Sequence, residues 1–212
     1  MYFDFDKTMT KDLLNQLILM AEKCHAKVRV MVCDMGNTKL LKELDVYRNK
    51  CHYFPNPIDQ SRKVYIVTCI PHCFKNLRNN TLDYKLIYNA PDGKEVRLGK
   101  ELFEQLIQDD SELGYLRLCP KLSDQHVQVQ GHDRQRVKLA TQLFSDTVSK
   151  ALIILYKDQF TEESKLIATF DKFFDVMDSR TKYHWKKEKC ALGNTQKRPQ
   201  VHRFALFCTD KF

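Results

Sequence analysis

"KVRVMVCDMGNTKLLKEL", Lys27 to Leu44, decides how the first third of this chain is read. A mostly apolar run leads to Asp34, a turn follows at Gly36 and Asn37, and helical spacing resumes from Thr38. An apolar run bounded by turn residues reads as a buried strand, and the helical period behind it as the start of a crossover. A carboxylate that ends such a strand carries a desolvation cost, so it is expected to have a chemical role.

Around this segment the pattern repeats. "YFDF" reads as a short strand, and Thr10 as the N-cap of a helix from Lys11 to about His25, whose Leu13, Leu14, Leu17, Ile18, Ala21 and Cys24 recur at helical spacing. "FPNPIDQSRK" reads as a loop, "KVYIVTC" as a strand, and "HCFKNLRNN" as a helix after Pro71. Strand, helix, strand, helix, strand implies a largely parallel α/β layer. After about Asn80 the pattern changes. "LDYKLIYNAPDGKEVRL" reads as a hairpin turning at Pro91 to Gly93. Helices are expected over Lys100 to Asp109, over a long stretch from Arg134 to Lys157, and from Thr161 to about Ser179. Phe170, Phe173 and Phe174 in the last of these read as core.

The 212 residues suffice for one large or two small domains, and the formal charge of +8 suits an anionic partner such as a nucleic acid or nucleotide. Many soluble proteins reach that charge without one. No apolar run reaches the roughly 18 residues of a membrane span, and no membrane partner is expected. The opening "MYFDFDKTMT" lacks a signal-peptide pattern, so the eight cysteines are expected as reduced thiols. "CIPHC" has three zinc-type ligands in Cys69, His72 and Cys73, but half-buried thiols at a strand end are the preferred reading.

Two further motifs invite a function. "YFDFDKTMT" fits the D-x-D-x-T pattern of haloacid-dehalogenase-type phosphatases through Asp4 and Asp6, yet little strand precedes it. The acids that would complete that site, Asp109 and Asp110, close an amphipathic helix where exposed carboxylates are ordinary. "GKEVRLGKE" imitates a phosphate-binding loop, but its glycines are one residue too far apart and Glu101 stands where Ser or Thr would ligate magnesium. A strand, a turn and a helix are expected there.

Six stretches, in order, resemble the P-element-type transposases, including THAP-domain transposases: "MYFDFDKTMTKDLLNQLI", "VCDMGNTKLLKELDV", "FPNPIDQSRKVYIV", "PHCFKNLRNN", "RQRVKLATQLFSDTVSKAL" and "FFDVMDSR". The resemblance covers about residues 1 to 195 and accounts for the FDFD segment without a phosphatase. It implies an α/β chain: a partial RNase H-like fold over residues 1–78, a mainly helical (α+β) GTP-binding insertion domain over 79–195, and a divergent tail over 196–212.

Such enzymes cut and join DNA with an Asp, Asp, Glu set that holds two divalent metals. Asp34 matches the second Asp, catalytic and a ligand for Mg2+; the other two acids match nothing in this sequence. Asp4 and Asp6 would lie three strand steps from Asp34, roughly 14 Å at about 4.8 Å per step, too far to share a metal pair. The resemblance therefore implies a truncated or domesticated transposase that does not cut DNA by itself; the alternative is a non-catalytic nucleotide- or protein-binding module. It also implies DNA and GTP as partners, nuclear location and possible homo-oligomers. The zinc-coordinating THAP domain by which relatives read DNA is not found in this sequence.

For GTP the match points to Lys121, Arg136, Val137, Phe174, Asp175 and Asp178. By residue type alone, the two cations read as solvated basic surface and the two acids as a solvated helix face. With the match, Lys121 and Arg136 would face phosphates, and Asp175 would accept from guanine N1–H and the exocyclic amine. Asp178 stands where relatives often carry Asn, and a further guanine-contacting acid of the family has no match here. "SRTKYHWKKEK", Ser179 to Lys189, interleaves cations with aromatics, which suits either DNA contact or a solvated helix end.

Overall fold

The computed structural model describes residues 9–34, 36, 38–46, 51–90, 93–178 and 189. Asp4, Asp6 and the FDFD strand lie outside the described residues, as do residues 179–188 of the basic–aromatic stretch and the tail from 190. The chain divides into two compact units, with the break between Cys69 and Ile70.

In the first unit, helix α1 (Lys11–Lys23) starts where Thr10 Oγ1 accepts from the Leu13 N–H at 3.3 Å. It buries Leu14 and Ile18, one turn apart on a single face. Strands β1 (Val30–Cys33), β2 (Tyr53–Pro55) and β3 (Lys63–Thr68) form a sheet in the order β1-β3-β2. β1 and β3 are parallel, as the crossover pattern implies, and β2 lies antiparallel on the other edge of β3. Sequence reading made β2 part of a loop. Its three residues, ending on Pro55, carry too little pattern to announce a strand, and only pairing with β3 makes them one.

Helix α2 (Thr38–Glu43) follows β1 and contributes Leu40 to a core with Leu14, Ile18, Phe54 and Val64. That core covers one sheet face. On the other, Val30 is 52% exposed and Val32 63%, so among the described residues β1 is not the buried strand expected of it. Its side chains alternate, and only every second one turns towards the helices.

The loop from Asn56 to Arg62 is tied to the end of α1 by charge. Arg62 Nη1 and Nη2 donate to Glu22 Oε1 and Oε2 at 2.9 and 2.5 Å, and Asn56 Nδ2 donates to Oε1 at 2.8 Å. The Arg62 guanidinium draws the Glu22 carboxyl from 4.5 down to about 2.

The second unit holds α3 (Ile70–Tyr84), the hairpin β4 (Leu86–Asn89) and β5 (Glu95–Leu98), α4 (Lys100–Glu112), α5 (Val137–Leu143), α6 (Asp146–Tyr156) and α7 (Thr161–Met177). The hairpin closes with Gly93 at φ +83°, its N–H donating to the Ala90 carbonyl at 2.9 Å. The long helix expected from Arg134 to Lys157 is two. Phe144 ends α5, and Ser145 caps α6 by accepting from the Val148 N–H at 3.4 Å. The apolar period runs unbroken through the cap, which hid it.

The core of this unit is aromatic. Phe144 meets Phe74, Phe103 and Phe170 edge-to-face at centroid distances of 6.5, 6.1 and 5.3 Å. Phe74 also stacks on Phe173 at 6.3 Å and meets Phe174 edge-on at 4.7 Å.

Candidate functional site

The chemistry-bearing part of the second unit is organised by α3. Phe74 and Arg78 lie one helical turn apart on the same face. Phe74 receives Phe174 from α7; Arg78, fully buried, reaches the segment that precedes α5. Its Nη2 donates to the carbonyls of Asp133 and Arg134 at 3.0 and 2.9 Å, and its Nη1 to that of Arg136 at 3.3 Å. These carbonyls lie at the end of a 3-10 turn, Gly131–Gln135, where the Arg136 N–H also donates to the Asp133 carbonyl at 3.1 Å and Asn79 Nδ2 to that of Arg134 at 3.4 Å. Burial, with the nearby Arg134 charge, lowers the Arg78 guanidinium below its ordinary value, yet arginine remains charged.

The clamp continues along α3. Lys75 Nζ donates to Gln135 Oε1 at 3.1 Å, and Asp83 forms an ion pair with Arg134. Arg136 and Val137 are thus delivered by a turn that α3 holds at several points. Arg136 caps α5 and bonds through Nη1 to Asp133 Oδ1 at 3.1 Å; Val137 opens the helix, half-buried.

Lys121 lies exposed in the turn after Cys119. That turn hangs from Asp110, which is fully buried and accepts from the Leu118 and Cys119 N–H groups at 2.6 and 3.1 Å and from Arg117 Nε at 3.0 Å. Asp110 is therefore not the exposed helix-end acid that sequence reading took it for. Asp109 accepts from the Tyr156 hydroxyl. Further on, Gln125 donates to Asp133 Oδ2 at 3.1 Å, linking the Lys121 stretch to the carboxylate that also holds Arg136.

At the end of α7, Phe174 is half-buried, Asp178 is the C-cap, and Asp175 is buried with 6% exposure. A solvated helix face would leave Asp175 in water. Instead Lys189 Nζ lies 2.9 Å from its Oδ1. From one face of α3, Phe74 contacts Phe174 and Arg78 holds the Arg136 carbonyl.

The loop resembling a phosphate-binding motif is strand, turn and helix. β5 ends at Leu98, Gly99 caps α4, and Glu101 places its own carboxylate on its own backbone N–H and beside Lys85 at 3.0 Å. An acid that occupies the helix N-terminus leaves no welcome for phosphate.

In the first unit, Asp34 is exposed just beyond β1, with Oδ1 accepting from the Gly36 N–H at 3.2 Å. Burial, the Asp34 charge and Cys69 raise the neighbouring Cys33 thiol. Among the described residues, no three His, Cys, Asp or Glu side chains gather closely enough to hold a metal ion, so they fit neither a magnesium pair around Asp34 nor a zinc site at Cys69, His72 and Cys73. The six described cysteines carry free thiols, and burial pushes Cys119 up to about 11. No helix among the described residues is long and apolar enough to cross a membrane.

Sequence reasoning missed Arg78 and Asp110. Arg78 was detectable, because it is the cation on the stripe formed by Phe74, Leu77, Thr81 and Leu82.

A family model for the TNP-like, GTP-binding insertion domain matches residues 71–190, which contain α3 beyond Ile70, Arg136, Phe174, Asp175 and Lys189. The chain belongs to this family. It is 31% identical over 192 residues to the transposable element P transposase of Drosophila melanogaster, a match that covers 84% of this chain and 24% of that protein. The solved Drosophila P element transposase strand transfer complex resembles it with a TM-score of 0.78 and 28% identity, over 89% of this chain and 43% of the other. The chain thus spans about a quarter of the curated relative that it matches.

Proposed function

We propose that the second unit of this P element transposase relative binds GTP without hydrolysing it, and that the chain's described residues do not cut DNA. The supporting observation is the shared position of two groups on one face of α3. Arg78 fixes the carbonyls around Arg136, while Phe74 seats Phe174 beside the buried Asp175.

In this reading Arg136 faces phosphate oxygens, with Val137 against the nucleotide. Lys121 supplies a second cation from its turn. Asp175 reads the base: a carboxylate only accepts, and guanine offers donors at N1 and the exocyclic amine, whereas adenine offers no N1–H. Phe174 lines the base, and Asp178 at the C-cap polarises its edge. A buried carboxylate discriminates well, since a base that leaves it unmatched forfeits its desolvation.

The first unit is the partial RNase H-like region, in which Asp34 corresponds to one acid of a metal-holding set. The acids around it, among the described residues, do not complete such a set, so binding rather than cleavage is the function assigned. Bound GTP then supports assembly on DNA in the nucleus, where the net positive charge favours contact with phosphates.

Calorimetric titration of the purified chain with GTP and with ATP tests this reading. Preference for GTP is expected; equal binding, or none, removes it. Plasmid nicking that requires magnesium and is abolished by Asp34→Ala would overturn the assignment of no cleavage.

A further inference from the structure

Asp175 is a carboxylate with 6% exposure in the last turn of α7. The backbone carbonyls at that end place negative partial charge near it, which makes the position unfavourable for an acid. A buried anion there requires cationic compensation. Lys189 supplies it from the chain itself, with Nζ 2.9 Å from Oδ1.

The two partners differ in freedom. The Lys189 side chain is 35% exposed and that of Asp175 only 8%. Lysine carries a compact charge on a flexible stem, so its ammonium can swing into water while the carboxylate stays in place. Oδ1 is also one of the two oxygens that a guanine edge engages when its N1–H and amino group bond side by side to one carboxylate. Lysine and base therefore compete for the same acceptor.

We infer that Lys189 is a built-in competitor for the guanine-reading carboxylate, released into solvent when the base binds. This rests on the reading of Asp175 given under Proposed function. The exchange sets the affinity of the site for guanine nucleotides: the base gains two hydrogen bonds to a charged acceptor but must break an existing ion pair. In the apo protein Lys189 places a cation beside this buried carboxylate. Lys189 thus tunes base affinity without contacting phosphate.

The test is calorimetric titration of wild type, Lys189→Met and Lys189→Gln with GTP and ATP. Losing the competitor is expected to tighten GTP binding about tenfold in the Met variant, the size of one charge-assisted contact, with ATP affinity unchanged. The Gln variant still donates a neutral hydrogen bond to the carboxylate, which preserves the fold if the Met variant loses it, and it is expected to gain less. If wild type prefers GTP and both folded variants bind it equally or more weakly, Lys189 is not a competitor and the inference fails alone. If no variant prefers GTP over ATP, the GTP-binding reading fails, and this inference with it.

Discussion

The two units stabilise themselves in different ways. The first packs aliphatic residues from α1 and α2 against one face of a three-stranded sheet, and among the described residues the opposite face keeps Val30, Val32 and Tyr65 about half exposed or more. The second surrounds Phe74 and Phe144 with further aromatic rings and sets a buried guanidinium beside them. A single-sided core gives its residues few alternatives but also little depth. A core closed on all sides can hold polar groups rigidly enough to position others. The candidate nucleotide residues sit in the unit of the second kind.

Mutations sharpen this contrast, beginning where the effect is greatest. Phe144→Ala removes a fully buried ring that touches three others and should lower the stability of the second unit by about 4 kcal/mol. Urea unfolding measures this; a loss below about 1 kcal/mol would mean that the aromatic cluster is not the unit's core. Next comes Arg78→Met, expected to cost about 3 kcal/mol, because the carbonyls of Asp133, Arg134 and Arg136 each lose a hydrogen bond from a buried, charged donor. Hydrogen exchange should then speed up at Arg134 to Val137 before it does in α6, and uniform protection would contradict the clamp.

The first unit answers to pH instead. The Glu22 carboxyl is held down to about 2, below its ordinary 4.5. A depressed acid stabilises the fold fully above its unfolded value and loses that contribution as pH falls through the folded value. Stability of the first unit should therefore decline as pH falls from about 4.5 towards 2, and Glu22→Gln should flatten that decline. Identical acid profiles for the two proteins would show that the Arg62 pair contributes nothing. The smallest effect belongs to Val32→Ala, at 63% exposure, which should stay within about 0.5 kcal/mol. A larger loss would show that something covers this face in solution.

Much of the fold was legible in local signals. Thr10 announces α1, the Pro91–Gly93 segment announces the β4–β5 hairpin, and the aromatic stripe of α7 buries Leu166, Ile167, Phe170 and Phe173 as its spacing requires. What failed was non-local or concealed by continuity. β2 exists only because β3 lies beside it, and the α5–α6 break passes through an apolar stripe that never loses its period. The site was legible as residue types but not as environments. Nothing near Asp175 in sequence says that it is buried or that Lys189 will reach it, and Asp110 looks like any helix-end acid until the Leu118 and Cys119 N–H groups turn towards it.

Asp175 is proposed to read guanine by accepting from two neighbouring donors. Xanthine carries a carbonyl where guanine carries its amino group, and Asn offers one acceptor and one donor where Asp offers two acceptors. Competitive binding of GTP and XTP to wild type and to Asp175→Asn separates the two patterns. If Asp175 is the base reader, wild type prefers GTP and the variant prefers XTP. The same order of preference in both proteins would contradict it.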